Sequence, residues 1–132
     1  MIVDTSAVLA ILLEQPEAAE MERGLAFPSA RRAMGAPTLA EAGTVLESRL
    51  GAVGWTWLNR FLQEFAVTIV PFTEHHAMLA VDAYSRFGKG RHPAALNFGD
   101  CLVYAVAQSA SEPLLCLGND FARTDLQLVV QR

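Results

Sequence analysis

The ten residues MIVDTSAVLA at the start of the chain narrow the choice of fold more than any other stretch. Ile2 and Val3 form a short β-branched run suited to a buried strand, and it stops at three oxygen-bearing side chains, Asp4, Thr5 and Ser6. An apolar, Ala-rich helical pattern follows, so the stretch reads as strand, polar turn and helix. In an open parallel α/β sheet, ligands bind outside the carboxyl ends of the strands. An acid placed where a strand hands over to a helix can face that crevice, which makes Asp4 the first candidate.

The rest of the chain repeats the alternation. Helical patterns are expected over residues 6–13, 17–25, 37–50, 55–65, 73–87 and 98–110, with Pro16 and Pro37 near helix starts. Strands are expected at 67–70 and 114–117, more weakly at 32–36, and as a closing strand at 126–130. Residues 27–32, with Pro28 and Ser29, and the basic stretch 88–97 read as loops, the second as a mobile one. Gly51 and Gly54 separate two helices. This order predicts an α/β fold, a parallel sheet with helices on both faces, built as a single domain over residues 1–132.

Composition closes other routes. With 52% apolar and 18% charged residues the chain lies far from the make-up of disordered proteins. It holds no apolar run of the roughly 18 residues a membrane span needs and no basic leader with a cleavage site, so a cytoplasmic protein is expected. Cys101 and Cys116 sit in apolar surroundings without metal-ligand spacing and read as buried, reduced side chains. A formal net charge of −4 argues against coating nucleic acid by charge alone, but leaves open an enzyme whose acids hold cations. His75 and His76 are adjacent, so from one helix they point about 100° apart and cannot serve one metal together.

Asp4, Glu41, Asp100 and Asp120 each fall where a strand or loop meets a helix. Singly, each has a structural explanation as a cap: Glu41 completes a capping box with Thr38, and Asp100 does the same with Asn97. Together they point elsewhere, because Asp4 and Asp120 follow strands that end at the carboxyl edge of the expected sheet. Like charges sharing one crevice raise one another's pKa unless cations sit between them. Oxygen ligands without converging His or Cys favour Mg²⁺ or Mn²⁺, ions that polarise a phosphoryl oxygen and lower the pKa of a bound water. Thr5, Ser6, Asn119 and Asp125 lie beside these acids and can orient a ligand or a water. Arg86, Lys89 and Arg91, with His92, lie just upstream of Asp100 and suit a phosphate backbone.

On these residues the chain resembles the PIN-domain ribonucleases, and more narrowly the toxins of VapBC toxin-antitoxin pairs. The resemblance spans essentially the whole chain through MIVDTSA, PTLAEA around Glu41, RFGKGRHPAALNFGDC leading into Asp100, and GNDFARTD around Asp120. It implies a metal-dependent endoribonuclease using Mg²⁺ or Mn²⁺, with Asp4, Glu41, Asp100 and Asp120 in the active site and Asp125 where some members add a fifth acid. It also implies a mostly five-stranded parallel sheet between helical layers, a homodimer, and a small antitoxin whose C-terminal segment covers the crevice. Leu117 departs from the family in standing where relatives often carry a polar or basic residue. The apolar surfaces near Leu25 and residues 55–65 are candidates for the antitoxin groove or the dimer contact.

Other classes fit less well. A haloacid-dehalogenase phosphatase needs a second Asp where Ser6 stands, and no strand is followed by the GxGxxG turn of a dinucleotide-binding fold. The alternative that remains is a non-catalytic interaction module whose acidic crevice receives basic segments of a partner protein.

Overall fold

The structure, a computed structural model, describes residues 1–27 and 31–129. Strands β1 (Ile2–Val3), β2 (Arg32–Gly35), β3 (Val67–Val70) and β4 (Leu114–Leu115) form one sheet in the order β3-β2-β1-β4, with every pairing parallel. Around it lie helices α1 (Thr5–Leu12), α2 (Ala18–Leu25), α3 (Ala36–Leu50), α4 (Val53–Glu64), α5 (Glu74–Phe87) and α6 (Phe98–Ala110).

Strand alternation builds three layers from very few residues. Ile2 and Leu114 point into a core filled from α5 and α6, whereas Val3 and Leu115, the next residue along each strand, point into a core filled from α1, α2, α3 and α4. Both faces of the sheet are covered, as a parallel sheet requires. The chain steps outward from β1 to β2 and β3, then returns to add β4 on the other side of β1. Its direction therefore reverses between β1 and β4, and a crevice opens at their carboxyl ends.

The expected closing strand is reduced to one parallel bridge between Leu114 and Leu128. There Leu114 N–H donates to the Gln127 carbonyl and Val129 N–H to the Leu114 carbonyl, both at 2.9 Å. Val130, and Pro28 and Ser29 of the expected loop, lie outside the described residues. Both cysteines are buried and free. Among the described residues no helix is long and apolar enough to cross a membrane.

Three local expectations need correcting. Thr38 and Glu41 form no capping box: α3 starts earlier, at Ala36, with Gly35 as its N-cap and Pro37 in its first turn, where a missing N–H costs nothing. Gly35 is small for a reason, since a Cβ there would come within 2.9 Å of Val106 on α6. Gly51, with φ of 73°, does end α3, but Gly54 lies inside α4. A Cβ on Gly54 would stand 2.5 Å from the Leu46 carbonyl oxygen, so this glycine lets α4 cross close over α3. Finally, residues 88–97 are knitted into the fold: Lys89 N–H donates to the Leu96 carbonyl and Leu96 N–H to the Phe87 carbonyl, both at 3.0 Å, while the Arg91 and His92 amides close on Gly88.

Candidate active site

β1 is only two residues long, so its carboxyl end delivers Asp4 directly to the mouth of the crevice. Asp4 has extended backbone and caps α1, with Oδ2 accepting from Ser6 N–H at 3.1 Å and from the Ser6 hydroxyl. The same Ser6 Oγ accepts from Leu117 N–H at 2.9 Å, which ties the exit of β1 to the exit of β4. Asp4 is buried; that burial pushes its pKa above the usual 3.8, the Ser6 hydrogen bonds pull it back, and the charge of Glu41 adds to the rise.

Glu41 reaches the crevice from α3, where its Oε1 accepts from the Thr5 hydroxyl. Asp100 arrives from the first turn of α6, fixed by the reciprocal box expected from the sequence: Asn97 N–H donates to its Oδ2 at 3.1 Å and its own N–H donates to Asn97 Oδ1 at 2.9 Å. Its pKa is also raised, by burial first and then, against the Asn97 hydrogen bond, by the charges of Asp4, Asp120 and Glu41. The start of α6 lies against Glu41, because a Cβ on Gly99 would come within 3.5 Å of Glu41 Oε2. Asp120 follows β4 and precedes a 3-10 turn, Phe121–Arg123, with its side chain exposed. Between them the buried Cys116 thiol is pushed up to about 12 by burial and by Asp4, Asp100 and Asp120. The fold thus gathers Asp4, Glu41, Asp100 and Asp120 within electrostatic reach, with Thr5 and Ser6 bonded to two of them.

Among the described residues no three His, Cys, Asp or Glu side chains are already placed to grip one ion together. The donor set is nonetheless of the right chemistry for a hard cation. Mg²⁺ dehydrates reluctantly and is usually held through one or two carboxylates, with water completing its shell.

Of the remaining candidates, Asp125 and Arg86 are engaged with each other. Asp125 accepts from the Tyr104 hydroxyl at 2.7 Å and from Arg86 Nη2 at 2.9 Å. Arg86, expected to meet RNA phosphates, is engaged there, with a further ion pair to Asp82 at 3.4 Å and its guanidinium 4.7 Å from the Phe87 ring centre. Arg91 stands over the Tyr84 ring at 5.3 Å, and Lys89 is exposed. Asn119 is exposed and lends its backbone carbonyl to Ala122 N–H. His76 is buried as a cap, its Nδ1 accepting from Thr73 N–H at 2.9 Å. Tyr104 is absent from the sequence candidates; its spacing of four residues after Asp100 on one helix is the signal that points to it.

The profile of the PIN domain family matches residues 1–126. Ribonuclease VapC36 of Mycobacterium tuberculosis is 48% identical over 128 residues, which cover 96% of this chain and 91% of that protein. The chain belongs to the VapC branch of the PIN-domain family. Solved PIN-fold toxins superpose over nearly all of it. The M. tuberculosis toxin VapC20, described as cleaving the sarcin-ricin loop, matches with a TM-score of 0.80 at 18% identity, covering 99% of this chain and 98% of that one. VapBC2 of Rickettsia felis, solved bound to a DNA fragment from its promoter, matches with a TM-score of 0.77 at 14% identity, covering 96% of this chain and 94% of that one. In this PIN domain Asp4, Glu41 and Asp120 all lie within electrostatic reach of Asp100. Leu25 is fully buried and so is itself unavailable to a partner, whereas Trp55 and Trp57 of α4 are 49% and 38% exposed.

Proposed function

We propose that this chain is a metal-dependent endoribonuclease, the toxin of a toxin-antitoxin pair, working in the cytoplasm as one domain over residues 1–132. The observation that carries the reading is the gathering of acids at the crevice: Thr5 holds Glu41 by its hydroxyl next to Asp4, and Asp100 on the first turn of α6 is raised in pKa by burial and by the charges of Asp4, Asp120 and Glu41. A chain under no functional demand has little reason to bear that cost.

Asp4, Asp100 and Asp120, with Glu41 beside them, would hold Mg²⁺ or Mn²⁺. When bound, such a cation polarises the scissile phosphoryl group and lowers the pKa of water. The chain's own residues set the stage for it. Ser6 pins Oδ2 of Asp4, Thr5 pins Oε1 of Glu41, and Asn97 pins Oδ2 of Asp100, so the carboxylates meet substrate already oriented. Glu41, its Oε1 held by the Thr5 hydroxyl, would help bind the metal or orient the attacking water. Lys89 and Arg91 would steer the RNA backbone, and Asn119, beside Asp120, would orient a ligand or a water. The relationship to VapC ribonucleases supports RNA as substrate, and the fold shared with toxins solved as toxin-antitoxin assemblies supports an antitoxin partner. Its basic segment would enter the same crevice, and the exposed Trp55 and Trp57 face would serve protein contact, in a homodimer or with the antitoxin.

The test uses purified full-length chain and a panel of structured and single-stranded RNAs. Cleavage should require Mg²⁺ or Mn²⁺, stop with chelator, and fall by at least about a hundred-fold in Asp4→Asn and Asp100→Asn variants that remain folded by circular dichroism. A folded wild type inert on every RNA class, with metal present, would instead favour the interaction module.

A further inference from the structure

Asp125 looks from the sequence like an additional acid for the crevice, yet both of its carboxylate oxygens are bonded to other partners. Oδ1 accepts from the Tyr104 hydroxyl at 2.7 Å and Oδ2 from Arg86 Nη2 at 2.9 Å, while Arg86 Nη1 stands 3.2 Å from the same phenol oxygen. Three segments meet in this triangle: the last turn of α5 through Arg86, the middle of α6 through Tyr104, and the stretch after β4 through Asp125. The Tyr104 ring is completely buried against Phe87, so the phenol oxygen is a fixed point.

What the triangle fixes is the stretch that carries Asp120. Only four residues separate Asp120 from Asp125, and three of them form the 3-10 turn Phe121–Arg123. Phe121 is buried, Arg123 Nη1 donates to the Pro93 carbonyl at 3.1 Å, and the Thr124 hydroxyl donates to the Phe121 carbonyl at 2.7 Å. Such a short, internally bonded segment transmits the position of one end to the other. At its far end, Tyr104 lies four residues after Asp100 on α6, about 6 Å along the axis on the same face. One rigid helix therefore carries both Asp100 and the anchor that determines where Asp120 can stand.

We propose that Tyr104, Arg86 and Asp125 are positioning residues, a latch that holds Asp120 in register with Asp100, and that Asp125 is not itself a metal ligand. The assignment rests on the nuclease reading for its catalytic consequence but not for the latch itself. Tyr104→Phe keeps the ring in its buried site and deletes only the hydroxyl.

In the free protein, Tyr104→Phe should speed hydrogen exchange of the amides at residues 119–124 by about five-fold or more, while those of α6 stay protected. With RNA, kcat should drop about ten-fold and KM change less than two-fold, because the substrate still binds but the carboxylates are out of register. Asp125→Asn, which keeps an acceptor for the phenol, should recover part of the kcat that Asp125→Ala loses. Unchanged exchange in Tyr104→Phe overturns the latch. Faster exchange with wild-type kcat overturns the positioning role, as does a loss confined to KM. A wild type that cleaves no RNA but shows the exchange difference refutes the nuclease reading and upholds the latch.

Discussion

Asp4 and Asp125 are both carboxylates that accept a hydroxyl hydrogen bond, and the fold treats them in opposite ways. Asp4 is buried, and burial first and then the charge of Glu41 raise its pKa, while its own charge helps raise that of Asp100. Asp125 is half exposed; what burial it has pushes its pKa up, but the Tyr104 hydroxyl and the Arg86 guanidinium outweigh that and hold it below 3.8. Among the described residues no cation is paired with the crevice acids, whereas Asp125 is neutralised by Arg86. The difference separates a site built to receive positive charge from a clamp built to hold loops together.

The largest expected effect comes from removing the buried charge. Asn at position 4 can still accept from Ser6 through its amide oxygen, so Asp4→Asn should raise the melting temperature by roughly 3 °C, about 1 kcal/mol, even as cleavage is lost. A lower melting temperature would mean that the fold already balances the Asp4 charge. The second prediction concerns acid. A carboxyl whose pKa is higher in the folded state than in the unfolded chain gives its stability below the unfolded value and loses it as pH rises through the folded value. As pH rises above the unfolded value of about 4 and through the higher folded one, then, the wild type should lose stability relative to Asp4→Asn, read as a widening gap between their denaturant midpoints. Parallel curves would remove the charge argument for the crevice.

The smallest effect belongs to the clamp. For Asp125 the pKa is depressed, so its stabilisation is present above the unfolded value of 3.8 and disappears as pH falls through the folded one. Because the Arg86 pair is exposed to solvent and salt, its share of the cost of Asp125→Ala should be only about 0.5 kcal/mol at neutral pH and should fade at high ionic strength, leaving the share that belongs to the Tyr104 hydroxyl. Denaturant titrations at two salt concentrations check this. A cost that persists in high salt would show that the Tyr104 hydrogen bond, rather than the ion pair, does most of the holding.

The parts of this architecture that are local in sequence could be read from it. Ile2 and Val3 ending at Asp4, the Asn97 and Asp100 capping box, and the run at residues 67–70 each declare themselves within a few residues, and all stand in the structure. What could not be read depends on partners far along the chain. Thr38 and Glu41 have the spacing of a cap, but the close approach of Gly35 to Val106 and the bond from Thr5 to Glu41 decide where α3 begins and what Glu41 does. Asp125 lies next to a motif acid in sequence, yet its partners Tyr104 and Arg86 stand 21 and 39 residues away. Residues 88–97 have the composition of a loose loop, and their backbone bonds to Phe87 and Leu96 are invisible in composition.

Ser6 imposes a directionality on everything that enters the crevice. Its oxygen receives the Leu117 amide while its hydrogen points at Oδ2 of Asp4, and the Ser6 amide fills the second lone pair of that same oxygen. Both bonds from Ser6 fall on one carboxylate oxygen, which leaves Oδ1 as the acceptor atom of Asp4 that Ser6 does not occupy. The identity of one small hydroxyl residue decides which half of the first carboxylate in the chain is open for business with the outside.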